Sequence, residues 1–224
     1  MPYSSLREFM DRLEEDGRLV RVTHPVSTNL EMTEIQTRLL AEGGPAVLFE
    51  NPINPDGTPA DIPVLVNLFG TVDRVALGMD RQPEQLRDVG ETLAFLRQPE
   101  PPGGFKEAMS MLPLAKTVMS MKPKSVRGAP CQEVVETGDE VDLASLPVQT
   151  CWPGEPAPLI TWGLVVTQGP NPDGDKTDNF NLGIYRMQVL EKNKTIMRWL
   201  KHRGGAQHHA KWKKQKTEPL PAAV

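Results

Sequence analysis

The chain has 224 residues, 38% hydrophobic and 24% charged, with a formal net charge of −4. That mix is ordinary for a globular protein with a real core, and the acidic balance gives bulk electrostatics no reason to attract nucleic acid or an anionic membrane. No apolar run approaches bilayer length, and the N-terminus "MPYSSLREFM" lacks the basic-then-apolar order of a secretory signal.

In chain order, "SSLREFMDRLEEDGRLVRVTHPV" opens as a helix. Ser5 precedes Glu8 by three positions, the spacing of a capping box, and Leu6, Phe9, Met10 and Leu13 share a face. Gly17 is a stop signal, and "RLVRVT" reads as a short strand. A second helix is predicted from Asn29 or Leu30 to Ala41, with Met32, Ile35 and Leu39 inward. Glu31 and Glu34 are its first-turn acids, favoured by the helix dipole. "PAVLFE" and "PVLVNLFG" are compact β runs, and "PEQLRDVGETLAFLRQ" repeats Leu86, Val89, Leu93 and Leu96 at helical spacing. Helix and strand thus alternate to about residue 98, as in an α/β or α+β layer domain.

"RQPEPPGG" is a break. One or two short Met-rich helices are expected over residues 105–119, with Met109, Met111, Met119 and Met121 as core or inter-domain packing. After "MKPKSVRGAP" the runs "QEVVET", "TWGLVVTQ", "NLGIYRMQVL" and "KTIMRWL" read as strands, with "GPNPDGDKTDN" the longest turn and "EKNK" the shortest. This second part reads as an antiparallel sheet or barrel, which divides the chain into residues 1–125 and 126–224. Cys131 and Cys151 make neither a disulfide framework nor a metal spacing, and read as buried thiols of a reduced cytoplasmic protein.

The stretch from Asn181 to Gly205 concentrates groups suited to anions and hard cations. Arg186 and Arg198 fall within predicted strands. Their planar forks fit carboxylate or phosphate, yet a wet strand face explains them as well, and by composition alone the plainer reading leads. "HRGG" is either a backbone cradle for an anion or a turn, and Asn181 is either an oxygen ligand or a turn residue. "HHAKWKKQK" reads as a solvated basic helix face, not as a metal or nucleic-acid patch. No G-x-S-x-G, Walker, post-strand G-x-G-x-x-G or H-E-x-x-H signature occurs.

Seven blocks, "LREFMDRLEEDGRLVRV", "GGPAVLFENP", "PVLVNLFGTVDRVALGM", "LAFLRQPEPPGGF", "RGAPCQEVV", "VDLASLPVQTCWPGEPAPLITWGLVVTQGP" and "NLGIYRMQVLEKNKTIMRWLKHRGGA", resemble in order the UbiD decarboxylases. The likeness runs from about Tyr3 to Trp212 and is strongest to the branch acting on 4-hydroxy-3-polyprenylbenzoate in ubiquinone biosynthesis. The turn "GPNPDGDKTDNF" is a few residues longer than the family pattern. The resemblance implies an α+β protein. Its N-terminal α/β domain is followed by part of an antiparallel split β-barrel of flavin-reductase type, and a C-terminal α/β domain mediates oligomerisation in the family. It implies non-oxidative decarboxylation with prenylated FMN, Mn²⁺ (or Mg²⁺), and K⁺ beside the cofactor phosphate. Asn181 matches a metal ligand. Ile184, Tyr185 and Arg186 match one cofactor-contacting run, Arg198, Trp199 and Leu200 a second, and Arg203 and Gly204 a third. Arg186 also matches the arginine that partners catalytic carboxylates and holds the substrate's carboxylate. No metal role is carried onto His202.

The implied partners are an aromatic acid, polyprenylated in the ubiquinone branch, a flavin prenyltransferase that supplies the cofactor, and further copies of the full-length chain, but no nucleic acid. The implied location is cytoplasmic, peripheral to the inner membrane where the substrate is lipophilic. Other readings are a relative acting on another aromatic or α,β-unsaturated acid, a non-catalytic flavin-binding or assembly module, and a flavin reductase. The family's proton-transferring acid and second metal-binding glutamate are expected after Val224. The chain is therefore expected to be part of a longer protein, inactive by itself, with an open barrel edge. Asn181 and Arg186 are five apart, so a regular strand points them to opposite faces. The resemblance needs both at one cofactor, which predicts a bulge or strand end near Gly183.

Overall fold

The computed structural model describes residues 3–98, 104, 109, 111–120, 126–170 and 179–224. Two compact units emerge, one of Met1–Phe9 with Thr71–Glu140, the other of Met10–Gly70 with Val141–Val224.

Helix α1 spans Leu6–Glu15. Its start is capped as the spacing predicts, with the Glu8 amide donating to Ser5 Oγ at 3.2 Å, but the returning Glu8 carboxylate accepts from Ser4. Gly17 takes φ +66° and ends the turn. There follow β1 (Leu19–Val22), β2 (Val26–Ser27), α2 (Glu31–Ala41), β3 (Ala46–Phe49), β4 (Pro52–Ile53) and β5 (Val64–Val66). The sheet order is β1-β3-β5, with β1 parallel and β5 antiparallel to the central β3. All four residues of β3 are buried, which accounts for its uninterrupted apolar sequence. Met32, Ile35 and Leu39 of α2 pack on Val26, Val47, Phe49 and Val66, as their spacing predicts. Buried Thr28 ties this layer to the segment before the site. Its carbonyl accepts from the Thr150 amide at 3.1 Å, and the Leu30 amide donates back to Thr150 at 3.0 Å.

In the other unit lie α3 (Val72–Gly78), α4 (Leu86–Arg97) and α5 (Leu112–Ser120). Helix α4 forms as its periodicity predicts, yet none of its residues is fully buried and Leu93 is exposed. Met109 and Met119, expected in packing, are also exposed, and Met121 lies outside the described residues. "QEVVET" is not a strand. Val134 and Val135 are exposed, and no described strand pairs with them, so β propensity alone does not hold them extended in a ladder.

The remaining elements are β6 (Leu159–Ile160), β7 (Leu164–Gln168), β8 (Phe180–Ile184), β9 (Met187–Glu191), β10 (Lys194–Met197), α6 (Gly204–Gln215) and β11 (Ala222–Ala223). They form two three-stranded sheets, β11-β7-β8 and β10-β9-β6, each antiparallel throughout. Val165, Tyr185 and Met187 form their core, with Ile160, Met197 and Trp199 packed around it. The expected α+β class stands, with an N-terminal α/β region followed by antiparallel sheets; no closed barrel occurs among the described residues. The long turn "GPNPDGDKTDN" falls largely on residues 171–178, outside the described residues.

Candidate functional site

The single run "NLGIYRMQVL" becomes two strands in two different sheets. Strand β8 pairs with β7 from Phe180 to Ile184, and β9 joins the other sheet from Met187. Tyr185 and Arg186 are the corner between them. Strand β10 ends at Met197, so Arg198, Trp199 and Leu200 also lie beyond a strand. The expectation that Arg186 and Arg198 sit inside strands is corrected: both follow strand ends.

The β7–β8 register is unbroken through Gly183, opposite Val165, so no bulge occurs there. The strand stops one residue later, at Ile184, and exposure alternates regularly through the corner to buried Met187. Gly183 has a different physical reason. A Cβ at that position would meet the Tyr185 ring at 2.6 Å, so glycine makes the seat on which the ring lies.

Tyr185 is the hub of the site. Its ring is buried and meets the Trp199 ring edge-on, 5.8 Å between centroids. Its hydroxyl accepts from the Gly205 amide at 3.1 Å and from Asn181 Nδ2 at 3.4 Å. Gly204 allows the closest approach. A Cβ there would overlap Asn181 Oδ1, so only glycine lets the carboxamide rest against the start of α6. A Cβ on Gly205 would meet the Trp199 ring at 3.0 Å.

These parts surround a cavity of about 730 Å³. One wall is the continuous segment Asn181 to Arg186; the other is Arg198, Leu200, Arg203 and Gly204. Of the residues singled out from the sequence, Asn181, Ile184, Tyr185, Arg186, Arg198, Leu200, Arg203 and Gly204 all line it, and Trp199 stands behind Tyr185 instead. Sequence reasoning missed Leu182 and the seat at Gly183, for which only their place beside the matched run was a signal.

The cavity is cationic. Arg186, Arg198 and Arg203 are exposed, and none of them forms an ion pair with a described carboxylate. Helix α6 has no side-chain cap at Arg203, and the Gly205 amide is taken by Tyr185. Its positive end therefore faces the cavity, an arrangement suited to phosphate. Asn181 brings an amide oxygen to the same place. Trp199 Nε1 is buried without a hydrogen-bond partner among the described residues. Three guanidinium groups, the start of α6 and the Asn181 carboxamide fit a phosphate-bearing ligand with a cation. Among the described residues no three His, Cys, Asp or Glu side chains converge to hold a metal by themselves, so Asn181 would be one ligand among others.

Two further residues correct the sequence reading. His208, placed on a solvated basic face, is buried, with Nδ1 3.0 Å from Thr167 Oγ1. Helical spacing from Gly205 to His208 and Trp212 carries the inner face of α6, while Lys211, Lys213 and Lys214 remain exposed. Burial pushes the His208 pKa below the ordinary histidine value; the Thr167 hydrogen bond opposes this and Lys211 adds to it. Of the two thiols expected to be buried, Cys151 is and Cys131 is exposed. Burial raises the Cys151 pKa above the ordinary thiol value.

Comparison with known proteins is consistent along the chain. The UbiD N-terminal domain, described as that of 3-octaprenyl-4-hydroxybenzoate carboxy-lyase, matches residues 10–93, and the Rift-related domain of the same description matches residues 123–224. The vanillic acid decarboxylase of Sedimentibacter hydroxybenzoicus in its closed form is similar, with a TM-score of 0.74 at 24% identity over 98% of this chain and 42% of that one. An evolved dimeric form of the UbiD-class enzyme HmfF from Pelotomaculum thermopropionicum, in complex with prFMN, gives 0.68 at 22% identity over 95% of this chain and 42% of that one. The apo 3,4-dihydroxybenzoic acid decarboxylase of Enterobacter cloacae gives 0.70 at 22% identity over 98% and 41%. At such identities the likeness is one of fold. The chain spans about 42% of the length of the first of these structures. No helix among the described residues is long and apolar enough to cross a membrane.

Proposed function

We propose, from the premise that this chain is made of two successive domains of the UbiD carboxy-lyase family, that it provides the cofactor site of a non-oxidative decarboxylase of aromatic acids. The observation that carries the proposal is the cavity itself: Arg186, Arg198 and Arg203 without carboxylate partners among the described residues, the open start of α6, and the Asn181 amide. An anionic cofactor relieves the mutual repulsion of those groups and is held by charge-assisted hydrogen bonds.

The cofactor that fits is prenylated FMN, which when bound supplies the electron sink for loss of CO₂. Arg198, Arg203 and the Gly204 amide hold its phosphate. Asn181 would give one oxygen to a Mn²⁺ or Mg²⁺, and that metal with K⁺ would supply neutralisation of the cofactor's negative charge. Ile184 and Leu200 supply apolar wall, Tyr185 fixes the corner, and Trp199 backs it. Arg186, at the change of sheet, would grip a substrate carboxylate and orient it before bond cleavage. The division at 125/126 assigns the α/β layer to one domain and this site to the other, although the β1-β3-β5 layer and the site belong to one compact unit.

The substrate we favour is 4-hydroxy-3-polyprenylbenzoate, in ubiquinone biosynthesis, because the N-terminal sequence blocks resemble that branch. Such a substrate resides in lipid, so the enzyme would work at the inner-membrane surface, as a homo-oligomer served by a flavin prenyltransferase. The test begins with flavin titration. FMN should bind the full-length protein, and Arg198→Ala should weaken binding by about 2 kcal/mol, the scale of a hydrogen bond to a charged group. Absence of flavin binding, or unchanged affinity in Arg198→Ala, would overturn the site. Release of CO₂ from a panel of aromatic acids by the cofactor-loaded full-length protein then identifies the substrate; a preference for acids without a polyprenyl chain would overturn the ubiquinone assignment.

A further inference from the structure

Strand β8 is at the edge of its sheet, paired with β7 on one side only. On the other side it borders the cavity, where six consecutive residues, Asn181 to Arg186, form the wall. Side chains of an extended segment alternate between two faces, so an unbroken run along a wall is a strand met edge-on. The ladder decides which backbone groups point there. The Tyr185 amide donates to the Gly163 carbonyl at 3.1 Å, and the Gly169 amide to the Asn179 carbonyl at 2.9 Å. The register between these two pairs is unbroken, so Asn181 and Gly183 also turn their backbone groups to β7, and Leu182 and Ile184 turn theirs away. Ile184 is fixed most directly. Its carbonyl shares a trans peptide plane with the Tyr185 amide and points opposite to it, and its amide opposes the Gly183 carbonyl in the same way. No described backbone segment pairs with Ile184 on the cavity side.

An extended residue at a free edge offers its N–H and C=O side by side, a donor next to an acceptor. The complement is a ligand edge with an acceptor next to a donor, such as the imide of a flavin, where N3–H lies between two ring carbonyls. Position selects Ile184 over Leu182. A phosphate held at Arg203 and Gly204 lies beside Asn181, whose carboxamide rests against Gly204. Leu182 is the very next residue, whereas Ile184 is three further on, about 10 Å along the strand, which leaves length for the ribityl arm between phosphate and ring. We infer that the backbone of Ile184 reads the imide edge of the flavin: its carbonyl accepts from N3–H, and its amide donates to a ring carbonyl beside it. The inference rests on the proposed flavin site. It makes the peptide groups of Ile184, and not its side chain, the part that selects the ring, and it sets the ring between the phosphate end of the cavity and Arg186.

N3-methyl-FMN keeps the phosphate and the arm but loses the donor. Fluorescence titration of the full-length protein should show FMN binding roughly tenfold or more tightly than N3-methyl-FMN, the scale of two hydrogen bonds. Equal affinities would overturn the inference and leave the phosphate site standing; failure of FMN itself to bind would remove both. Ile184→Pro deletes the amide donor at a position where no ladder bond is lost. It should weaken FMN several-fold and narrow its lead over N3-methyl-FMN, because only one of the two bonds remains for the methyl group to break. Ile184→Ala keeps the peptide groups and should keep the lead. Leu182→Pro, on the same edge, should leave both affinities close to those of the unaltered protein. A lead that survives Ile184→Pro in full, or equal losses in the two proline variants, would show that Ile184 does not read the ring. One measurement needs no substitution: FMN labelled with ¹⁵N at N3 should show a slowly exchanging N3 proton in the complex, and exchange as fast as in free FMN would also sink the inference.

Discussion

His208 and Thr167 form a buried polar pair, with Nδ1 and Oγ1 3.0 Å apart beneath the helix that faces the cavity. Thr167 is the register partner of Asn181 across β7 and β8, so this pair stands one strand away from the candidate ligand. Burial favours neutral His208 and lowers its pKa from the ordinary value of 6.5. The unfolded chain therefore binds a proton more readily than the folded one between the two pKa values. Stability from this residue is fully present above pH about 6.5 and declines as pH falls through the lower folded value. Urea midpoints measured from pH 8 to pH 5 should fall across that range, and His208→Gln should flatten the fall. A midpoint that rises on acidification would contradict the assignment.

The two glycine positions Gly204 and Gly90 should respond in opposite directions to alanine. At Gly204 a Cβ overlaps Asn181 Oδ1, so Gly204→Ala should destabilise the fold by about 1–3 kcal/mol, the usual cost of overpacking. At Gly90, inside α4, nothing lies within 4 Å of a new Cβ. Gly90→Ala should stabilise by about 0.5–1 kcal/mol through helix propensity alone. Equilibrium denaturation of the two variants checks both.

The cysteines should separate cleanly by reactivity. Cys131 is exposed, whereas Cys151 is buried with its pKa raised by that burial. In the native chain at pH 8 a thiol-specific chromogenic reagent should label one cysteine quickly, and peptide mapping should place that label on Cys131. Cys151 should react only after denaturant is added.

Flavin binding should depend on salt. From Lys192 to Lys216 the sequence has no Asp or Glu, and Arg198, Lys201, Arg203, Lys211, Lys213, Lys214 and Lys216 are all exposed. An exposed cationic surface attracts a phosphate over distances that ionic strength screens, about 10 Å at 0.1 M. FMN association rates should fall as salt rises, while riboflavin, which lacks the phosphate, should show little change.

Local order in this protein was legible where one element's own residues decide it. The spacing of Met32, Ile35 and Leu39 predicts the inner face of α2, the run "PAVLFE" predicts a compact strand, and Ser5 with Glu8 predicts where α1 begins. The cluster from Asn181 to Gly204 was legible as chemistry, because its residue types and a family resemblance point to an anion and a cation. Tertiary structure decided what depends on distant partners. "QEVVET" has strand propensity and no ladder to join; "NLGIYRMQVL" looks like one strand and changes sheet at Tyr185–Arg186. Gly183 looks like a place for a bulge and is instead the seat of a tyrosine ring. His208 sits in a run of cations and is buried, because α6 turns that position onto Thr167. Propensity and periodicity act within a few residues, whereas strand pairing, burial of a polar group and close approach at glycine are set by segments far apart in sequence, which only the folded chain brings together.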